Sequence, residues 1–403
     1  MTIVTTRQRQ PRYTPTSNAS VELSVVMPCL NEVDTIASCV KAAMETLREH
    51  RIIGEVIVAD NGSIDGSQQI ATKLGARVIS VPEKGYGSAL MGGIAASRGK
   101  YILMGDADDS YDFREIPAFL SKLRAGYELV QGCRLPSGGG KVMPGAMPFL
   151  HRWWGNPMFS WLARRWFRAS IQDVNCGLRG FSRVHYDRLA QRCTGMEFAN
   201  EMIIKTSLLN AKVAQVPITL HMDGRKAHGP HLRTFRDGWR TLRFYMLYSP
   251  RWLFLFPGAL LMALGAVGYG IALPGMHIGR IAFDVHTLLF ASLAAIAGYQ
   301  SIVFAVFTKV FAISERLLPE DPRLTKLSRV INLEIGLLAG ATAMLAGFAL
   351  LAGAVGQWWA VNFGPLDYSH TMRWVIPGVT LTTLGFQTVL SSFFLSVLGM
   401  KRR

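Results

Sequence analysis

Residues 23–105 alternate short apolar runs with stretches of helical spacing. Leu23-Ser24-Val25-Val26-Met27 predicts a strand closed by Pro28. From Glu32 to Glu49, Val33, Ile36, Val40, Ala43, Met44 and Leu47 recur as one helical face. Glu55 to Ala59 predicts a second strand ending in Asp60, and Ser63 opens a helix through Ile70 and Leu74. Arg77 to Val81 predicts a third strand, Gly85 to Ser97 a Gly/Ala-rich helix, and Tyr101 to Met104 a fourth strand. This alternation predicts an α/β fold with a mostly parallel sheet and right-handed crossovers.

The next part changes character. Ser137 to Gly140 is a flexible loop beside Arg134 and Lys141. Met147 to Phe167 predicts one helix mixing Phe149, Trp153, Trp154, Phe159, Trp161, Trp166 and Phe167 with His151, Arg152, Arg164, Arg165 and Arg168. So much Trp and Arg suits a membrane–water interface better than a soluble core. Ile171 to Gly180 reads as a polar loop. Glu197 and Glu201 share one face of a helix running to Leu209. Val213 to Leu220 reads as a strand that Pro217 confines to a sheet edge. Asp223 to Arg233 is a basic loop, and Thr234 to Tyr248 a helix interleaving Arg with aromatic residues.

Four spans follow: Trp252 to Leu273, Thr287 to Thr308, Ile335 to Ala354 and Trp374 to Met400. None contains Asp, Glu, Lys or Arg, and each is long enough to cross a bilayer. The link between the second and third carries Lys309, Arg316, Arg323, Lys326 and Arg329, and the C-terminus carries Lys401-Arg402-Arg403. The outer links hold only Arg280 and Arg373. The positive-inside rule therefore puts the N-terminal part, the middle link and the C-terminus in the cytoplasm.

Composition narrows the function classes. A net charge of +16 in a chain that is 50% hydrophobic points to anionic partners at a membrane. Nucleic acid is disfavoured because the basic residues are spread along the chain. Five cysteines, irregularly spaced and without CxxC, argue against a disulfide framework or a zinc site. Residues 1–20 read as a flexible basic tail. The uncharged spans disfavour an ion or proton path.

The candidate chemistry centres on Gly105-Asp106-Ala107-Asp108-Asp109. Carboxylates that end a buried strand sit at the carboxyl edge of a sheet, where open α/β sheets bind ligands. Packed together they repel, and Mg²⁺ or Mn²⁺ suits such hard oxygen ligands. The bland alternative is an acidic turn before the next helix, and Asp109 and Asp112 fit that role. No GxGxxG follows the first strand, which disfavours a dinucleotide site. Asp60 either holds a ribose hydroxyl or base edge or serves the Asn61-Gly62 turn.

Pro28-Cys29-Leu30-Asn31-Glu32, Asp60 to Ser67, Lys84-Gly85-Tyr86-Gly87-Ser88-Ala89 and Asp106-Ala107-Asp108, in this order, resemble the GT-A glycosyltransferases of family 2. Asp173 to Arg179 resembles the D-x-x-S-G-F-R segment of the polyprenyl-phosphate members, the dolichyl-phosphate mannose/glucose synthase type. Glu201 and Val216-Pro217-Ile218 followed by Arg225 and Lys226 extend the likeness over roughly residues 22–250, plus a membrane anchor. Three departures stand out. Ser110 sits where some relatives have a Gln metal ligand, Cys176 replaces Ser, and Asp223 to Arg233 differs from the usual R-x-x-G-x-S-K loop.

The resemblance implies a GT-A, Rossmann-like catalytic domain at 21–229, a juxtamembrane amphipathic helix at 230–250 and a four-helix transmembrane domain at 251–403. The flexible tail precedes them. It implies a metal-dependent, inverting hexosyltransferase that moves sugar from a nucleotide diphosphate sugar to a polyprenyl phosphate in cell-envelope glycan synthesis. UDP-glucose is the expected donor and GDP-mannose the alternative. Pro28, Leu30, Asn31, Glu32, Asp60, Gly62, Ser63, Lys84, Gly85, Gly87, Asp106 and Ala107 would bind the donor. Asp106 and Asp108 would hold Mg²⁺ or Mn²⁺. Asp108, Asp173 and Glu201 would serve catalysis, and Arg134, Arg179, Arg225 and Lys226 the acceptor phosphate. The implied setting is a multi-pass protein of a bacterial-type cell membrane, catalytic domain inside, self-associating through its spans. A membrane-anchored nucleotide-sugar binding protein without turnover is the non-enzyme alternative. A processive synthase would need a Q-x-x-R-W-type segment, which the chain lacks.

Overall fold

The computed structural model describes residues 20–225, 234–315, 317–319, 321 and 333–399. The chain divides into two units, residues 1–238 and 239–403.

The first unit is built on strands β1 (Leu23–Cys29), β2 (Gly54–Asp60), β3 (Arg77–Ser80), β4 (Tyr101–Met104), β5 (Leu129–Cys133), β6 (Lys141–Val142), β7 (Arg179–Ser182), β8 (Val213–Pro217) and β9 (Thr219–Leu220). Seven of them form one sheet in the order β3-β2-β1-β4-β7-β5-β8. All neighbours are parallel except β7, which is antiparallel to both β4 and β5. β1 and β4 are buried nearly throughout, as continuous apolar strands of a sheet covered on both faces must be. β8 lies at the sheet edge with Pro217 as its last residue. β6 and β9 pair separately.

The helices of this unit are α1 (Ile36–Glu49), α2 (Ser67–Lys73), α3 (Tyr86–Ala96), α4 (Ile116–Arg124), α5 (Asn156–Phe167), α6 (Arg183–Leu189) and α7 (Glu197–Leu208). α8 (Thr234–Tyr248) runs across the division between units. A π-turn at His151–Gly155 leads into α5, and the aromatic stretch is helical from Phe149 rather than from Met147. Phe149, Trp153, Trp154 and Trp161 are exposed there, whereas Phe159 and Phe167 are buried.

Three expectations are corrected. α1 begins at Ile36, not Glu32, because residues 31–35 turn back to bond the loop after β2. α2 begins at Ser67, not Ser63, because Asp60 and Asp65 take the intervening main-chain N–H groups. The segment to Gly180 is not loop throughout. Arg179–Ser182 inserts as β7 between β4 and β5. It is four residues long and holds a Gly and an Arg, so it carried no strand pattern.

The second unit contains α9 (Phe256–Ala272), α10 (Val285–Ser314), α11 (Leu333–Ala360) and α12 (Tyr368–Gly399). Four helices, Arg251–Ala272, Val285–Ser314, Leu333–Ala360 and Tyr368–Leu398, are long and apolar enough to cross a membrane. Thr380 Oγ1 of α12 bonds the Tyr269 hydroxyl of α9 at 2.7 Å and Ser292 Oγ of α10 at 2.5 Å. At the chain end of this bundle shared by 284 and 373, Arg373 pairs with Asp284 at 2.9 Å.

Candidate functional site

Three loops at the carboxyl ends of β1, β2 and β4 are knitted into one surface. Asp60, fully buried, accepts from Gly62 N at 2.9 Å, from Ser63 N at 3.2 Å and from Gln68 Nε2 at 2.7 Å. Ser63 Oγ accepts from Asn31 N, and Asn31 Oδ1 accepts from Ile64 N. Lys84 Nζ donates to Asn61 O at 2.6 Å, and Gly85 N to Asn61 Oδ1 at 2.8 Å. The Thr35 hydroxyl donates to Ala107 O at 2.6 Å, tying the β1 loop to the acidic one. The expected donor residues therefore share one edge of the sheet. Asp60 spends its hydrogen bonds on the turn and the start of α2, and Ser63 Oγ reaches across to the β1 loop.

Asp106 and Asp108 follow β4. Tyr86, the first residue of α3, donates its hydroxyl to Asp106 Oδ1 at 2.9 Å. Asp108 Oδ1 accepts from Ser110 N and Oγ. Burial, then the charge of Asp108, pushes the Asp106 carboxyl up to about 7, against the Tyr86 hydrogen bond and the charge of Arg225. Arg225 supplies the balancing cation. Its Nε lies 2.8 Å from Glu32 Oε2, its Nη2 2.6 Å from Glu32 Oε1, and its Nη1 2.7 Å from Asp223 and 3.3 Å from Asp108 Oδ2. The guanidinium thus faces carboxylates of three loops. Gly224 N donates to Asp108 O, and His221 N to Ser110 O, so residues 221–225 run along the acidic loop.

The other expected site residues lie deeper. Asp173 is fully buried and takes Arg134 N, Nε and Nη2 at 3.0, 2.7 and 2.9 Å. Burial alone would raise the Asp173 carboxyl; the Arg134 charge outweighs it and holds it low. Arg179 is fully buried and donates to the carbonyls of Cys176, Val174 and Ala199, clamping the 174–179 loop. Glu201, also fully buried, accepts from Arg192 N at 2.9 Å and Cys193 N at 2.8 Å and pairs with Lys205 at 2.6 Å. In this geometry Arg134, Arg179, Asp173 and Glu201 hold loops, and their charged groups are turned inward. Lys226 lies outside the described residues. Asp109, with φ of 61°, accepts from Ser38 Oγ, and Asp112 caps the short turn at Phe113. Gln68 carries no signal in the sequence, and Asp65 reads there only as a first-turn helix carboxylate. Tyr86 stood inside a quoted motif, and nothing in the spacing pointed its hydroxyl at Asp106.

Among the described residues no group of three His, Cys, Asp or Glu is arranged to hold a metal. Asp106 and Asp108 stand two residues apart after β4 and offer hard carboxylate oxygens. Burial first, and then the neighbouring charge of Asp108, raises the Asp106 carboxyl, a setting that fits a divalent cation whose other ligands come from a bound molecule.

Residues 24–189 match the family model of glycosyl transferase family 2, and residues 306–399 that of the glycosyltransferase family 2 C-terminal transmembrane region. The chain is 36% identical over 384 residues to the low-salt glycan biosynthesis hexosyltransferase Agl6 of Haloferax volcanii, covering 95% of this chain and 90% of that one. It is 33% identical over 198 residues to a dolichyl-phosphate hexose transferase of the same organism, covering 49% of this chain and 82% of that one. A solved structure of glucosyl-3-phosphoglycerate synthase from Mycobacterium tuberculosis with phosphoglyceric acid is 22% identical over 56% of this chain and 79% of that one. Its TM-score is 0.45.

Proposed function

The chain belongs to glycosyltransferase family 2 and is a membrane-anchored glycosyltransferase; from that premise we propose that it moves a hexose from a nucleotide diphosphate sugar to a polyprenyl phosphate at the cytoplasmic face. UDP-glucose is the proposed donor. The observation that carries this reading is the pair Asp106 and Asp108 at the carboxyl edge of the sheet, next to the loops of Glu32 and Asp60, in a chain that goes on to four membrane-length helices. The dolichyl-phosphate hexose transferase among the relatives supports a lipid phosphate as acceptor.

Asp106 and Asp108 would hold Mg²⁺ or Mn²⁺. Bound there, the cation would neutralise charge on the departing nucleoside diphosphate. A phosphate oxygen of the acceptor forms the new bond to the anomeric carbon as the bond to the diphosphate breaks, which inverts the configuration. The acceptor is largely dianionic near neutrality and needs no strong base. Glu32 and Asp60 lie on the loops proposed to hold the nucleotide's ribose and base. Lys226 remains the proposed acceptor-phosphate contact. Arg134–Asp173 and Glu201–Lys205 keep the loops behind the site in place, and Arg225 is the donor-side counter-charge.

Membranes carrying the protein, given Mn²⁺ and a panel of labelled nucleotide sugars, should pass label to polyprenyl phosphate from UDP-glucose. Asp108→Ala should cut that transfer by about a hundredfold or more, as the several kcal/mol from a bound cation implies. Full transfer by Asp108→Ala sinks the metal-site reading. Label moving only from GDP-mannose corrects the donor. Tight donor binding without any lipid product would mean a binding protein instead.

A further inference from the structure

The Asp106 carboxylate sits in a slot with two walls. One wall is the Tyr86 hydroxyl, which donates to Oδ1 at 2.9 Å. The other is Gly177. A Cβ built on Gly177 would stand 2.5 Å from Asp106 Oδ2 and 3.2 Å from the Tyr111 hydroxyl. No side chain fits there unless the carboxylate moves.

Both walls are themselves fixed. Gly177 N donates to the Tyr111 hydroxyl at 2.8 Å, so the glycine is held where its bare Cα faces the acid. Tyr86 opens α3, and the first turn of α3 rests on residues 193–195: Ser88 N donates to Thr194 O at 3.0 Å. Gly87 allows that contact, because a Cβ there would run into Cys193 O. The 192–193 main chain is in turn held by Glu201. A fully buried ion pair between Glu201 and Lys205 thus ends, through one loop and one helix turn, at the hydroxyl that grips Asp106.

We propose that Tyr86 is a positioning residue for the donor site, holding Asp106 in the orientation that binds the divalent cation and the nucleotide diphosphate, with Gly177 keeping the space the carboxylate needs. The inference rests on the reading of Asp106 as a donor-site ligand. Without the hydroxyl, Asp106 must be ordered at the moment of binding, and that cost appears as lost affinity. The loss falls on ground-state binding, so the donor KM rises while kcat changes little.

The test uses the full-length protein in detergent, with binding of Mn²⁺ in the presence of UDP read from the electron paramagnetic resonance of free Mn²⁺. Tyr86→Phe should weaken binding about tenfold, the size of one hydrogen bond to a charged group, at an unchanged melting temperature. Gly177→Ala keeps the hydroxyl but displaces the carboxylate and should weaken binding comparably. Asp106→Asn is the reference. If Asp106→Asn weakens binding and the other two bind as wild type, Tyr86 is merely structural and this inference falls alone. If Asp106→Asn itself binds Mn²⁺ and UDP as wild type, the donor-site reading falls with it.

Discussion

At Arg225 one guanidinium compensates carboxylates from three loops: Glu32 after β1, Asp108 after β4 and its own neighbour Asp223. Its side chain is only 12% exposed, so this charge is held in place and is not a waving surface arginine. A divalent cation at Asp108 must share that carboxylate with Nη1. Arg225→Gln should therefore tighten Mn²⁺ binding by about fivefold, the equivalent of ~1 kcal/mol for one partly exposed pair; weaker Mn²⁺ binding in the same resonance assay would show that the guanidinium helps the metal. His185 carries the pH prediction. It is fully buried, with Nε2 on Thr206 Oγ1 at 2.9 Å. Burial pushes its pKa down to about 4, with Glu128 opposing. Its unfolded value is near 6.5, so the unfolded chain binds the extra proton first as pH falls. The neutral imidazole's contribution is present above that pH and is lost between about 6.5 and 4, up to roughly 3 kcal/mol. Thermal melts across that range should show the loss, and His185→Gln should flatten it. The carboxylates at this sheet edge were legible, because Asp60 ends one predicted strand and Asp106 and Asp108 follow another. The inward roles of Arg134, Arg179 and Glu201 were not. Nothing in a sequence tells a phosphate-binding arginine from one that donates to three carbonyls.

At the scale of elements, glycine contacts set how closely the last two helices pack. A Cβ on Gly347 of α11 would lie 2.7 Å from Gly378 O of α12, and one on Gly340 2.8 Å from Gly385 O. Such small-residue seams let helix backbones approach in a membrane, where no hydrophobic force draws helices together. Gly347→Leu should separate α11 from α12 and lower stability in detergent by about 1–3 kcal/mol, read as a lower melting temperature; an unchanged melt would mean that the seam contributes nothing. The start of each of α1 and α2 shows the opposite balance. Helical periodicity marked both correctly, but Asp60, Asp65 and Ser63 side chains took the first N–H groups for themselves. Only the pairing of two loops could reveal that competition. β7 escaped for a related reason: its place is decided by the two strands it fits between, not by its own pattern.

For the whole molecule, the distribution of Lys and Arg predicts an orientation that single-cysteine labelling can check. His277→Cys, in the link before α10, should react with a membrane-impermeant maleimide in intact cells, and Thr325→Cys should react only after lysis. The reverse pattern would overturn cytoplasmic catalysis. Family resemblance, strand–helix alternation and the four apolar spans were all readable from one sequence, because burial of a parallel strand or a membrane helix writes a continuous apolar run. The acidic pair was readable because it breaks such a run. By itself, then, the sequence determined the class of fold, the presence of the spans and which edge of the sheet carries the acidic pair. Only the tertiary structure decided which charges face that edge. Asp173, Glu201, Arg134 and Arg179 were turned inward and Arg225 onto Glu32, Asp108 and Asp223, since a charge goes where partners from distant segments can satisfy it once it is out of water.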